Sequence, residues 1–346
     1  MIRRPFARIG LDPGTANTLL YVKGRGIAVN EPSLVTVRAG GGIEAVGAEA
    51  EAGLGRTPER LRTERPVRAG SLGDLGLFQG MLHRFLRKAR LAGPLNRLKA
   101  AVAVPGTMAG IERLAMVEAL KDAGAADVLL VDQTLAAARG AGLPIEESRG
   151  RMVVNIGAGV TDIAVISMGT TVSARAARVA GDEMDAAIIA HVQAVHRLAI
   201  GERTAQRLKI QIGSALPDSE ENVMRVKGRC LVHGVPREAV VRAAEVRQAL
   251  SRPLRCIVNA IREALEDAPA ELSADLIETG IVLTGGSALL RNLDLLISRD
   301  CGLPVQVAQD PLSCVILGLA SQIDRLRRGD WRRSGDVSSS PACVWR

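Results

Sequence analysis

Two stretches decide how this chain reads: ARIGLDPGTANTLLYV at residues 7–22 and RMVVNIGAGVTDIAVIS at residues 151–167. Each is an apolar run that enters a short glycine-containing turn and leaves it as a second apolar run. Runs of this length bounded by turn residues predict buried strands, and glycine lets the chain reverse where other residues are strained. Asp12 and Asn155 stand at corresponding strand ends, 143 residues apart. The repeat predicts an internally duplicated α/β chain with a glycine turn opening each half. Such turns let backbone N–H groups approach phosphate oxygens closely, and two facing one another across a cleft can grip a polyphosphate. Neither turn is a P-loop, because G-x-x-x-x-G-K-[ST] is missing, and neither opens a G-x-G-x-x-G helix.

The flanking sequence fits this frame. Residues 7–38 predict three strands, Ala7–Leu11, Thr18–Val22 and Ile27–Val37, the last interrupted by Pro32. Leu77, Met81, Leu82, Phe85 and Leu86 recur at helical spacing over 77–91. Leu98–Val104 and Val128–Val131 predict buried strands, with helices at Ile111–Ala123 and from Gln133 to Gly140. In the second half, strands are predicted at Arg151–Ile156, Thr161–Ser167 and Thr171–Val179. A helical region follows from Asp182 to Gly213, then a hairpin around Gly234 and helices over 244–268. Ile281–Thr284 predicts a strand running into Gly285-Gly286, with a helix over Leu289–Ser298. The predicted division is a first lobe at 1–150, a second at 151–324 whose final helix returns to the first, and a basic tail at 325–346 that reads as a flexible end.

Composition bounds the function. The chain has 346 residues, 47% hydrophobic and 24% charged, which excludes disorder throughout and suits roughly two domains. Aromatics are 2%, too few for a single-strand nucleic-acid platform, so no nucleic-acid partner is expected. Five widely spaced cysteines without C-x-x-C fit a reducing cytoplasm. The first residues are basic but no apolar h-region follows, so no secretory signal is expected. The net charge of +8 is concentrated. Between Asp74 and Glu112 no acidic residue occurs, while Arg84, Arg87, Lys88, Arg90, Arg97 and Lys99 do. This suggests an anionic partner.

At these residues the chain resembles the actin, Hsp70 and sugar-kinase superfamily, and within it the MreB family of bacterial actin homologues. The resemblance is carried by GLDPGTANT (10–18), YVKGRG (21–26), NEPS (30–33), GRTP (55–58), GAGLPI (140–145), AGDE (180–183), GERTA (201–205), IVLTGG (281–286), Ala288-Leu289-Leu290 and Asp310-Pro311-Leu312. It covers about residues 7–324. It implies an actin-like ATPase fold: α/β, two lobes each built on a duplicated five-stranded mixed sheet with helices, and a nucleotide cleft between them. Position by position, it implies that Asp12, Gly14, Thr15, Ala16 and Asn17 bind phosphate, with Asp12 reaching Mg²⁺ through metal-bound water. Gly157, Ala158 and Gly159 form the second phosphate loop. Gln206, Arg207, Leu208 and Lys209 fall on the adenosine side, and Gly285, Gly286, Ser287 and Ala288 beneath the adenosine. ATP and Mg²⁺ are the cofactors implied.

The departures from the family cluster in the site. The family's D-x-G at the second phosphate loop is Asn155-Ile156-Gly157, and G-G-G-T-T is Gly157-Ala158-Gly159-Val160-Thr161. The family's E-E-P is Asp132-Gln133-Thr134, so Gln133 replaces the glutamate that helps position the attacking water. Pro13 replaces an aliphatic residue. Gln133 and Asn155 are therefore the candidate catalytic positions, and the loss of a carboxylate at 155 implies weak or absent ATPase activity.

The resemblance further implies a cytoskeletal protein: filaments of the chain itself, peripheral attachment to an anionic membrane surface at the inner face of the cell membrane, and contacts with cell-wall synthesis and shape proteins. For the membrane contact the sequence offers the loop Leu91–Asn96 within the basic segment 87–99, with Leu91 and Leu95 entering the interface and Arg87, Lys88, Arg90, Arg97 and Lys99 meeting headgroups. About six residues precede the first strand, too few for an N-terminal amphipathic helix. A sugar kinase would need an acceptor-substrate insertion, and an Hsp70-like chaperone a substrate domain; neither is evident. A degenerate, non-polymerising nucleotide-binding regulator of the same fold is the alternative.

Overall fold

The computed structural model describes residues 6–55, 58–91, 98–217 and 222–326. The chain divides into two compact units. One takes the chain up to Glu147, the short Met168–Thr171 segment and everything from Ser313; the other comprises Ser148–Ser167 and Val172–Leu312. The division thus falls at Glu147/Ser148, and the Cys314–Arg325 helix lies in the first unit. The 327–346 tail lies outside the described residues.

Each unit is built on a five-stranded sheet, and the two sheets share one plan. In the first, Ala7–Pro13 pairs antiparallel with Asn17–Val22, which pairs with Gly26–Pro32; on its other side it pairs parallel with Leu98–Val104, followed by Ala125–Asp132. In the second, Arg151–Ile156 pairs antiparallel with Thr161–Ser167, next to Thr170–Ala177, and parallel with Ile281–Thr284, followed by Val305–Val307. In both sheets the strand ending in the glycine turn is central. A central strand is covered on both faces, which is why Ile9, Leu11, Val153 and Val154 are fully buried and the runs read as continuously apolar. The fold is the α/β, actin-like arrangement of two duplicated mixed sheets.

Helices close the faces. In Leu75–Lys88, Phe78, Met81, Leu82, Phe85 and Leu86 face the core at i, i+3, i+4, i+7 and i+8, and Asp74 caps the helix by accepting from the Leu77 amide at 2.9 Å. Phe78 rather than Leu77 takes the deep position. In Ala243–Glu266 the buried stripe runs through Val246, Leu250, Leu254, Ile257, Val258 and Ile261.

Two predicted helical stretches prove to be broken. Residues 182–213 form two helices, Gly181–His196 and Glu202–Ile212. Arg197 adopts φ +50°, and Leu198–Ala199 then pairs with Arg229 and Cys230 of the Val223–Cys230 strand. The predicted Leu289–Ser298 helix is a 3₁₀ turn at Gly286–Leu289 followed by a helix at Leu293–Cys301. Asn292 takes φ +60° between them and donates to the Ser214 hydroxyl at 2.9 Å. Each break turns on a single left-handed residue, which periodicity does not reveal.

In the first unit the Cys314–Arg325 helix packs on Gln133–Gly140 at a crossing made of small residues. A Cβ on Gly318 would stand 1.8 Å from the Ala136 carbonyl oxygen, and one on Gly140 would stand 1.7 Å from that of Cys314. These are backbone atoms, so the helices would have to separate. Gly318→Ala should cost about 1–3 kcal/mol, measured as a fall in Tm. Gly110→Ala, whose Cβ meets nothing within 4 Å, is the control and should leave Tm unchanged or slightly raised.

Candidate functional site

The first unit presents its glycine turn between the strands Ala7–Pro13 and Asn17–Val22. The carbonyls of the turn are held from behind. The Gly14 oxygen accepts from the Ser33 hydroxyl at 2.6 Å, the Thr15 oxygen from the Arg65 guanidinium at 3.0 Å, and the Ala16 oxygen from the Ser33 amide at 2.8 Å. The Ser33 and Thr18 hydroxyls, both buried, lie 2.8 Å apart. A Cβ on Gly14 would meet the Asn17 carbonyl at 2.7 Å, so the turn closes only with glycine there. Among the described residues, the amides of Gly14, Thr15 and Ala16 have no acceptor. A turn whose carbonyls are hydrogen-bonded within the chain and whose amides have no acceptor among the described residues keeps donors that an anion could take up.

Asp12 ends the strand that leads into this turn and sits opposite Leu19 in the ladder. It is buried, and burial alone pushes its carboxyl up to about 7. At the start of the Gln133–Gly140 helix, Asp132 is occupied as the cap: it accepts from the Thr134 amide at 2.7 Å, the Thr134 hydroxyl at 2.5 Å and the Leu135 amide at 3.3 Å. The side-chain amide of Gln133, half-buried at the first helical position, has no hydrogen-bond partner among the described residues.

The second unit repeats the device with other residues. Gly157 donates to the Val160 oxygen at 3.0 Å and closes the turn. The Gly157 oxygen accepts from the Gly181 amide at 3.2 Å and the Ser287 hydroxyl at 2.7 Å, and the Ala158 oxygen accepts from the Asp182 amide at 2.7 Å. The amides of Ala158 and Gly159 have no acceptor among the described residues. Gly285 sits at φ +84°, where a Cβ would lie 2.4 Å from the Ile156 oxygen and 2.9 Å from Asn155 Oδ1. Glycine there lets the Gly285–Ala288 segment press against the end of the Asn155 strand. Ala288 is buried beneath it, while Gly286 is exposed.

Asn155 is 3% exposed, and its Oδ1 accepts from the Thr284 hydroxyl at 3.1 Å. A carboxylate could accept the same bond, so asparagine keeps the shape of the position while removing its charge. Lys209 is fully engaged: its ammonium donates to the Gly181 oxygen at 2.8 Å and pairs with Asp185 at 2.9 Å. Burial raises the Asp185 carboxyl and the Lys209 charge opposes that rise. Lys209 thus ties the Glu202–Ile212 helix to the start of the Gly181–His196 helix, whose first amides hold the Gly157 loop. Gln206 and Arg207 are exposed on the same helix, whereas Leu208 is fully buried in the apolar core and has only backbone to offer a ligand. Sequence reading did not give Ser33, Arg65, Gly181 and Asp182 these roles. Ser33 and Gly181-Asp182 lay within quoted motifs, but the bonds they make span 17 to 24 residues, and the Arg65 bond spans 50.

The basic segment requires two corrections. Leu91 is 8% exposed and belongs to the core of the first unit, so it is not available to an interface. Lys99 stands directly opposite Asp127 in the parallel ladder and pairs with it at 2.6 Å, its side chain largely buried. Lys88 is exposed but bonded to Glu31 at 2.8 Å, and Arg84 donates to the Ile43 and Glu44 carbonyls. Arg87 and Arg90 are exposed. Leu95 and Arg97 lie outside the described residues.

The family model for the MreB/Mbl protein matches residues 6–330. The chain belongs to the MreB/Mbl family. It is 45% identical over 318 residues to the cell shape-determining protein MreB of Escherichia coli K12, covering 90% of this chain and 91% of that one. It is 40% identical over 323 residues to the cell shape-determining protein Mbl of Bacillus subtilis 168, covering 93% and 97%. Among solved structures it is similar to MreB 5 of Spiroplasma citri bound to AMPPNP, with 34% identity, a TM-score of 0.88, and 91% and 95% of the two chains covered. Membership of the MreB/Mbl family makes the chain an actin-like, cell-shape type of protein.

Burial of Asp12 has a measurable consequence for this MreB/Mbl chain without nucleotide. Its carboxyl titrates near 3.8 when unfolded and about 7 when folded. Between those values the folded chain holds a proton that the unfolded chain has lost. The contribution of this group is therefore full below about pH 4 and lost as pH rises through about 7. Asp12→Asn removes the charge and keeps the shape. Nucleotide-free Asp12→Asn should melt higher than the wild type at pH 8 and no higher at pH 4, in a thermal-melt series across that range. Parallel curves for the two proteins would contradict the assignment.

Proposed function

We propose that this chain is a nucleotide-dependent cytoskeletal protein that binds ATP with Mg²⁺ through its two glycine turns, assembles with copies of itself into filaments, and organises cell-wall synthesis and cell shape at the inner face of the membrane. One observation carries the nucleotide reading. Both turns have carbonyls that accept hydrogen bonds within the chain and successive amides with no acceptor among the described residues, donors suited to phosphate oxygens. The related Spiroplasma citri protein, solved with AMPPNP and with ADP, supports it. The cell-shape role and self-association rest on family membership and on the relatives' description as cell shape-determining proteins.

The residues present fit Mg²⁺ bound through nucleotide and water. Among the described residues no group of three or more His, Cys, Asp or Glu could hold a metal, and Mg²⁺ commonly takes one or two carboxylates plus phosphate oxygens and its own waters. Asp12, at the end of its strand, is the carboxylate that would face that water shell. The bound ion would neutralise phosphate charge. The chain's own part is to hold the phosphates on the open amides of Gly14–Ala16 and Ala158–Gly159. Gln133 and Asn155 are the side chains that would orient a water. Both are amides, which hydrogen-bond water but take up its proton poorly, so hydrolysis should be slow. Exposed Arg87 and Arg90 are the described residues that would meet anionic headgroups, each worth about 1 kcal/mol near the surface. No helix among the described residues is long and apolar enough to cross a membrane.

Titration calorimetry with ATP and Mg²⁺ should show saturable binding, and no heat at millimolar nucleotide would refute the reading. Asn155→Asp restores the family's carboxylate at a position already shaped for it. It should raise phosphate release at least ~10-fold at equal polymer content, with Gln133→Glu adding to it. A wild type that already matches the restored variant would show that Asn155 does not limit the rate. Arg87→Glu with Arg90→Glu should release the protein from anionic liposomes, read by co-sedimentation; unchanged co-sedimentation would place the contact elsewhere. Pelleting with and without nucleotide separates a filament protein from a non-polymerising regulator.

A further inference from the structure

We propose that a β-hairpin of the second unit, through its valine tip and the arginines behind it, makes a contact of its own with an anionic lipid surface. This rests on the membrane reading above and adds a site that no quoted motif contains. From Val223 to Arg237 the sequence has no Asp or Glu, while it carries Arg225, Lys227, Arg229 and Arg237. The Val223–Cys230 and Pro236–Arg242 strands pair antiparallel, and alternation gives the hairpin two unlike faces. Val226, Cys230 and Val241 turn inward and are buried, whereas Arg225, Lys227 and Arg229 turn outward and are exposed. Lys227 pairs with Glu238 at 3.2 Å, but the side chains of Arg225 and Arg229 have no partner among the described residues.

The tip is fixed but bare. The Cys230 amide donates to the Val235 oxygen at 2.8 Å, and the Leu231 amide donates to the Arg197 oxygen at 2.9 Å, which ties the tip to the end of the Gly181–His196 helix. Yet Val232 is 66% exposed, Val235 55%, and Val195, near the end of that helix, 56%. Between helix and tip lies a recess of about 510 Å³ lined by Ala190, Gln193, Ala194, Arg197, Leu231 and Val232. The spacing suits a bilayer boundary. Interfacial segments bury their apolar side about 5–10 Å into the headgroup and acyl boundary. Strands advance about 3.3 Å per residue, so Arg229 and Arg237 stand within about 10 Å of the valines, at headgroup depth once the tip is in. Arg237 donates to the neutral His196 carbonyl and keeps its charge. Arg225 lies about 13 Å behind Arg229, near a Debye length from the surface. A second copy meeting this face with its own would set arginine against arginine, so the lipid surface is the occupant its charge fits.

Two variants of the full chain, with Arg87 and Arg90 intact, separate the two parts of the contact: Arg225→Glu with Arg229→Glu, and Val232→Ser with Val235→Ser. Melting curves confirm that each is folded. Partitioning is measured by sedimentation with vesicles of mixed phosphatidylglycerol and phosphatidylcholine, and of phosphatidylcholine alone, over a range of salt. On the mixed vesicles the arginine pair should lose at least ~10-fold in partitioning and much of its salt dependence. The valine pair should lose at least ~5-fold while its salt dependence stays that of the wild type. Wild-type partitioning in both variants would overturn the proposal and leave the membrane reading standing. A valine pair without effect, with an arginine pair that weakens vesicles and soluble polyglutamate alike, would give the face to an acidic polypeptide instead. Nucleotide-dependent pelleting without vesicles that is lost in the variants, while vesicle partitioning is kept, would give it to a second copy. A wild type that binds neither kind of vesicle would overturn the membrane reading along with the proposal.

Discussion

A backbone turn that binds an anion must expose its amides, and it can do so only if its carbonyls are satisfied somewhere else. Both glycine turns of this molecule are built around that constraint. Buried or half-buried carbonyls without partners are costly, so each turn needs donors behind it. In the first unit those donors are Ser33 and Arg65; in the second they are the amides of Gly181 and Asp182 and the hydroxyl of Ser287. The two sets share no residue type except serine, yet each leaves successive amides of its turn without an acceptor among the described residues. The duplicated sheet places both turns at the ends of central strands, and each unit then satisfies its turn from whatever packs alongside.

The same constraint explains which motifs stand out in the sequence. Asn30–Ser33 and Ala180–Glu183 each contribute a donor to the carbonyls of a turn, from Ser33 in the first and from the Gly181 and Asp182 amides in the second. Gly285 and Gly14 are fixed by space: a Cβ at either would run into backbone. Against this background an asparagine at 155, where the family resemblance implies an aspartate, is mild in shape and severe in charge. Its Oδ1 keeps the bond to Thr284 that a carboxylate would make. A change that spares packing and removes a charge alters the chemistry of a site before it alters its architecture.

The core elements were legible because their signals are local. Leu98–Val104, Arg151–Ile156, Thr161–Ser167 and Ile281–Thr284 lie where their apolar runs predict. Both glycine turns follow from strand–turn–strand patterning. Helix breaks at Arg197 and Asn292 were not legible, since a single left-handed residue leaves the apolar period intact. Nor was the burial of Leu91 or the pairing of Lys99 with Asp127, since a ladder register between strands some twenty residues apart decides it. The donors behind the turns were hidden for the same reason. A serine or arginine tens of residues away carries no mark of which carbonyl it will meet.

The central claim is that the open amides of the two turns are where nucleotide phosphate is held. Amide hydrogen exchange at single-residue resolution tests it directly. In the nucleotide-free protein the amides of Gly14, Thr15, Ala16, Ala158 and Gly159, having no acceptor among the described residues, should exchange fast, whereas that of Gly157, bonded to Val160, should be slower. With saturating ATP and Mg²⁺ those five should slow together, by at least ~10-fold. Protection that appears elsewhere in the chain while these five exchange as before would contradict the account.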